Sequence, residues 1–174
     1  MIIAICHHYH FFLINANHQY YQLLIHSLYS HQIILKGDIM IDISNYSEYI
    51  QNIVKITSEL LNLTITLVNR DFVRIAGTHE YEGTIGQIVK NHNLFRYVIE
   101  KDTCVLIKNP RIDISCIECS NKSNCKKTAA IYSSLKIDNI VVGGLAIIAF
   151  DEKQKKRLED EHLLKGPDPT IIHI

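Results

Sequence analysis

An α+β fold, an antiparallel sheet with helices packed on it, is predicted by three observations. Two pairs of β-rich runs are joined by tight turns, helical periodicity appears before, between and after them, and no β-α-β alternation links parallel strands. Ser44 or Asn45 caps a helix to about Leu61, where Tyr46, Tyr49, Ile50, Ile53, Ile56, Leu60 and Leu61 recur at helical spacing. Leu63 to Val68 is β-branched and partly alternating, Asn69-Arg70-Asp71 supplies a turn, and Phe72 to Ala76 resumes as the second strand of a hairpin. A short helix over about Asn93 to Glu100 gathers Leu94, Phe95, Val98 and Ile99 on one face, and a strand Thr103 to Lys108 follows. Ile131 to Ile137 and Ile140 to Phe150 flank the two-residue turn Asp138-Asn139 and form a second hairpin. A last helix, Asp151 to Leu164, ends at Gly166-Pro167-Asp168-Pro169.

Composition bounds the function. A chain of 174 residues, 47% hydrophobic and 21% charged, fits one domain with its own core. Eighteen basic residues balance eighteen acidic ones, which disfavours direct nucleic-acid binding and attachment to a charged membrane surface. The longest apolar run, Val141 to Phe150, is too short to span a bilayer and reads as a buried strand. The N-terminal stretch is interrupted by His7, His8, His10, Asn15, Asn17 and His18 and lacks the layout of a signal peptide, so the expected compartment is the cytoplasm.

Composition shifts near residue 40. Residues 1–39 hold six of the ten histidines, with Lys36 and Asp38 as the only full charges. They read as an N-terminal extension, either an amphipathic helix with a strand or sequence upstream of the true start. Residues 40–165 form the expected domain and residues 166–174 a tail.

The chemistry concentrates in one connection. From Asn109 to Lys127 roughly nineteen residues join two strands, against a usual length of about 4–6. They carry Cys116, Cys119 and Cys125, and Cys104 lies just upstream. Thiolates at this spacing on a polar loop are a chelating pattern, and three of them on one centre would tie the loop down. Lys108, Arg111, Lys122, Lys126 and Lys127 surround them, and such charge favours thiolate over thiol. A short helix over about Asn121 to Ala130 would absorb part of the loop. Free thiols beside a solvated lysine surface, or a reversible Cys116–Cys119 disulfide, are alternative uses of the same residues.

Other features carry less. His7-His8-x-His10 is a generic metal-binding cluster, and Gly77 to Gly83 reads as a surface loop before it reads as a pocket wall. Arg74 and Arg96 are able to clamp a carboxylate but are expected to be solvated or salt-bridged. Gly143-Gly144 is a bulge or a close-packing site, since no Lys-Ser/Thr or helix follows as a phosphate loop requires. No catalytic constellation stands out, and the chain is not expected to be an enzyme.

Residues Tyr46 to Leu158 resemble a known family. Leu67-Val68-Asn69, Asp71-Phe72-Val73-Arg74-Ile75-Ala76-Gly77-Thr78, Tyr81, Ile85-Gly86 and Phe95-Arg96-Tyr97-Val98-Ile99-Glu100 carry the likeness. It continues through Asn109-Pro110-Arg111, Cys116, Cys119, Cys125, Gly143 to Phe150 and Gln154. In order and spacing they are similar to the N-terminal sensory domain of sigma-54-dependent transcriptional regulators of anaerobic Firmicutes, a relative of the GAF and PAS folds. The resemblance implies a GAF/PAS-like antiparallel sheet with packed helices that detects redox state, a gas or a metabolite. It implies a three-cysteine loop holding a [4Fe–4S] cluster or zinc, with Cys116, Cys119 and Cys125 as ligands. The fourth position is filled by Cys104, Asp113, Glu118 or a group from outside the domain, or is left open to a gas or small molecule; Cys104 is not part of the family pattern. The alternative is a small-ligand-binding domain with structural zinc or free thiols. The family's ATPase and helix-turn-helix modules are not found in this sequence, which reads as a detached or truncated sensor. Its expected partners are an output domain or protein and a second copy in a homodimer, with no nucleic acid and no membrane.

Overall fold

The computed structural model describes residues 42–159 except 118, 120 and 121. The expected extension 1–39 with its histidines, the tail 166–174 and the end of the helix expected over 151–164 lie outside the described residues.

The Asp42 carboxylate accepts a hydrogen bond from the Ser44 N–H (2.9 Å) and starts a 3₁₀ turn, Ile43–Tyr46, that leads into α1, Ser47–Leu61. The helix stops where Asn62 takes a left-handed conformation, φ 51°. Its buried stripe is Ile50, Val54 and Ser58, narrower than the periodicity suggests. Tyr46, Tyr49, Ile56 and Leu60 stay 42%, 44%, 60% and 63% exposed, because the apolar residues span a wider arc than one sheet contact covers.

Five strands form one antiparallel sheet: β1 Thr64–Asn69, β2 Arg74–Gly77, β3 Cys104–Ile107, β4 Ala129–Ile137 and β5 Ile140–Ala149, in the order β2-β1-β5-β4-β3. Both predicted hairpins are present. Asp138 and Asn139 have φ 49° and 66°, the paired left-handed geometry that matches the strand twist. In the first hairpin Phe72 also turns left-handed (φ 62°) and the Asn69 side chain accepts the N–H groups of Asp71 and Val73. The second strand consequently begins at Arg74, later than expected.

Period-two alternation assigns each strand residue to a face. Under α1 and α3 (Glu152–Glu159), one face packs Ile65, Leu67, Ile131, Leu145 and Ile147 with Leu158, and Cys104 and Leu106 rest against it. The other face holds Val68, Ile107, Ala130, Tyr132, Ala146 and Ile148 beneath α2 (Asn93–Lys101) and the β3–β4 connection. A buried hydroxyl pair fastens α1 to the sheet. The Ser58 Oγ donates to the Leu63 carbonyl (2.6 Å), and Thr78 Oγ1 accepts the Ile65 N–H (3.0 Å). At the edge strand, the Gln51 amide both donates to the Gly77 carbonyl and accepts its N–H, each at 2.8 Å, leaving fewer bare edge groups.

Gly143-Gly144 is a close-packing site. A Cβ on Gly143 would stand 2.1 Å from the Val68 carbonyl oxygen, and one on Gly144 would stand 2.8 Å from Phe95 Cδ1. Gly143→Ala is therefore expected to cost about 3 kcal/mol or more in urea unfolding, because the backbone it strikes cannot swing aside. Gly83→Ala, with no atom within 4 Å of the new Cβ, is the control and is expected to change stability by less than about 0.5 kcal/mol.

Candidate functional site

The β3–β4 connection is built from turns that repeat every third residue. The Cys116 N–H bonds to the Asp113 carbonyl (3.1 Å), Cys119 to Cys116 (3.1 Å), Lys122 to Cys119 (3.0 Å) and Cys125 to Lys122 (3.3 Å). Residues three apart eclipse one another in such turns, so Cys116, Cys119, Lys122 and Cys125 share one side. Arg111 Nε closes the loop by donating to the Cys125 carbonyl (3.0 Å). Ile112, Ile114 and Ile117 point the other way and stay 63–77% exposed, so turn bonds and the buried Cys116, not an apolar core of its own, order the loop. The helix expected over 121–130 is not formed. Residues 122–128 make turns and irregular chain, and β4 begins at Ala129 because its pairing with Ala149 claims the backbone.

The shared side of the loop faces a cavity of about 290 Å³. Its floor is Ile107, Ala130 and Tyr132 of the sheet; Asn93 and Leu94 at the start of α2 form one wall. Tyr81, on the 3₁₀ helix His79–Thr84, forms the opposite wall with Val89 and Asn91, and Pro110, Cys116, Cys119, Lys122, Cys125 and Lys127 close the site.

A cationic and aromatic cluster lies at one end. Lys127 Nζ donates to the Tyr132 hydroxyl (2.9 Å) and sits 6.0 Å and 5.7 Å from the Tyr81 and Tyr132 ring centroids. Desolvation lowers its pKa, but the phenol groups of Tyr132 and Tyr81 outweigh this and the net shift is upward, so the ammonium stays charged. Burial raises the Tyr81 phenol above its usual range. On the far side of Tyr81 the Arg74 guanidinium lies 4.4 Å from the ring centroid and donates through Nη1 to Thr66 Oγ1. Arg74 is 7% exposed, its Nε has no partner among the described residues, and the ion pairs among those residues, Lys55–Glu82 and Lys136–Asp102, do not involve it. The expectation of a solvated or salt-bridged Arg74 is thus corrected. Arg96 is exposed, as expected, and reaches His92 Nε2 at 2.8 Å.

Three of the four cysteines singled out in the sequence come together and one does not. Cys116, Cys119 and Cys125 are free thiols on one cavity. Cys104 pairs with Ser133 in the sheet, packs against the core of the opposite face and is disulfide-bonded. Strand alternation turns it away from the loop, which makes it unsuited as a fourth ligand here. The expected thiolate-favouring environment is also reversed at Cys116. Burial raises its pKa, Asp113, Cys119 and Cys125 add to the rise, and Lys127 only partly opposes it.

A metal centre finds the right donor type but not the arrangement. Among the described residues no group of three or more His, Cys, Asp or Glu side chains is placed to hold a metal ion. Sequence reasoning missed the Tyr81–Lys127–Tyr132 cluster. Tyr81 lies far along the chain from Lys127 and Tyr132, and the signal was the strand parity that turns Tyr132 to the same face as Ile107.

The five-stranded antiparallel sheet with helices on both faces defines the class: an α+β domain. No model of a known protein family matches the chain. In sequence it is similar to the putative uric acid sigma-54-dependent transcriptional regulator UacR of Escherichia coli (strain K12), 29% identical over 112 residues that cover 64% of this chain. The chain spans 19% of that curated relative's length. Similar solved structures include a GAF domain of A. aeolicus in an inactive state (15% identity, 77% of this chain and 85% of that one, TM-score 0.49). A phycocyanobilin-bound GAF domain from a cyanobacterial phytochrome (9%, 83% and 89%, TM-score 0.48) is another. So is a type II free methionine-R-sulfoxide reductase from Thermoplasma acidophilum (11%, 70% and 90%, TM-score 0.46). Among the described residues no helix is long and apolar enough to cross a membrane.

Two outcomes follow from the site. Iodoacetamide at pH 7.5 is expected to alkylate Cys116 more slowly than Cys119 or Cys125, by peptide mass mapping over time, because Cys116 is both buried and held as the thiol. Arg74→Met keeps a flexible side chain against Tyr81 while removing an unpaired buried charge. It is expected to leave unfolding stability unchanged or raise it by about 1 kcal/mol in chemical denaturation.

Proposed function

We propose that this chain is the signal-receiving domain of a sigma-54-dependent transcriptional regulator, and that its signal is a small molecule bound in the cavity beneath the cysteine loop. The observation that carries the reading is the meeting of the loop, Tyr81 and the start of α2 around one cavity over the sheet. Segments from the β2–β3 and β3–β4 connections form its walls, so occupancy changes how they pack together. The loop and α2 lie on one face and α1 and α3 on the other, which gives a route from cavity to terminal helices through the sheet. An attached or separate output module receives the change, in the cytoplasm, with a homodimer as the working assembly.

A second reading is favoured by the three free thiols that share the cavity: a zinc ion or [4Fe–4S] cluster held by Cys116, Cys119 and Cys125, sensing redox state or a gas. It requires the loop to tighten, since the thiols are not in a chelating arrangement among the described residues.

One preparation separates the two. The full chain purified without oxygen is analysed for iron, sulfide and zinc, then melted with and without candidate ligands, uric acid first because the E. coli relative is named for it. Metal-free protein whose Tm rises by roughly 5–10 °C at a hundredfold excess over Kd supports the ligand reading. Stoichiometric metal that is lost in each single Cys→Ser variant of Cys116, Cys119 and Cys125 transfers the function to the metal centre.

A further inference from the structure

Among the described residues the cavity wall holds two cations, Lys122 and Lys127, and no carboxylate. An ammonium has three donors, of which Tyr132 takes one (2.9 Å) and the nearby Tyr81 at most one more. Among the described residues Lys127 makes no further hydrogen bond, which leaves at least one N–H for something in the cavity. Arg74 adds a second fixed charge behind the Tyr81 ring, 4.4 Å from its centroid, and is buried to 7% exposure with no acid partner among the described residues. No neighbouring acid among the described residues lines this end. Glu80 and Glu82 on the Tyr81 helix are exposed and Glu82 is engaged by Lys55, while Asp113 stands beside Cys116 but does not line the cavity.

We infer that the Lys127 end of the cavity is an anion-binding subsite and that its ligand is a small organic anion. The charged oxygen of the ligand rests on Lys127 Nζ, and its apolar body lies against the Tyr81 and Tyr132 rings and Ile107. Positive charge in a partly desolvated, aromatic-walled site with no carboxylate among its described lining residues favours such a ligand over its neutral counterpart, since a charge-assisted hydrogen bond is about twice as strong as a neutral one. The inference rests on the cavity being the ligand site, and it adds the ligand's charge and which end of the cavity reads it.

The test uses the full chain at pH 7 and three acid–amide pairs of increasing size: acetate and acetamide, isobutyrate and isobutyramide, benzoate and benzamide. Calorimetric titration is expected to show at least one acid binding about tenfold or more tightly than its amide. Lys127→Met is expected to abolish that preference by weakening the acid alone, while Lys127→Arg retains it. The preference for acid over amide in the unmodified protein is itself a readout that holds even if Lys127→Met fails to fold. Equal binding of acid and amide, or a preference that survives Lys127→Met, overturns the anion assignment and leaves the cavity as a neutral-ligand site. Binding of no probe at any size counts against the cavity as a ligand site as well.

Discussion

The approach of β1 and α2 to Gly143 and Gly144 is the constraint on which the rest depends. Val68 and Phe95 occupy the volume that side chains at these two positions would fill. Phe95 is thereby set on the sheet and meets Tyr132 edge to face, ring centroids 5.1 Å apart. That contact fixes the floor of the cavity at one side. Further along the same face β4 carries Ala130, too small to fill the space beneath the loop, and the opening there is what the cavity occupies. A larger residue at Ala130 would complete the core and remove the site.

The second constraint is the three-residue period of the loop. Cys-x2-Cys-x5-Cys looks irregular as a metal signature, but every interval is a multiple of three, and the turn bonds at Cys116, Cys119, Lys122 and Cys125 follow that period. The period gathers the thiols without bringing them to one point. It also explains the division of the loop into an inner polar side and an outer side of exposed isoleucines.

Most of the sheet was legible because each strand pair reports itself locally. Asp138-Asn139 between β-branched runs specifies a two-residue hairpin, and Asn69 specifies the other turn through its own side-chain hydrogen bonds. What the sequence hid was decided by distance along the chain. Phe72 reads as a strand residue, yet stacks on His92 (ring centroids 4.3 Å apart), a partner twenty positions away, and takes a left-handed turn instead. Cys104 reads as one more cysteine of a cluster, and only the register with Ser133 shows that it faces away. Arg74 reads as an ordinary surface cation because no local pattern announces that a tyrosine from the next connection will cover it.

Arg74 and Lys127 bear on why this face is built as it is. A guanidinium buried without a carboxylate gives up hydration that its hydrogen bond to Thr66 and its contact with Tyr81 replace only in part. Its pKa is lowered by that burial, the signature of a charge held where solvent would not choose to leave it. A core selected for stability alone would place an apolar side chain at the start of β2, as the rest of that strand does with Ile75 and Ala76. Retaining two cations around one tyrosine, with no acid between them among the described residues, keeps a local field that packing does not need. Destabilising charge of this kind concentrates at functional sites, and here it lies at the end of the cavity that the cysteine loop closes.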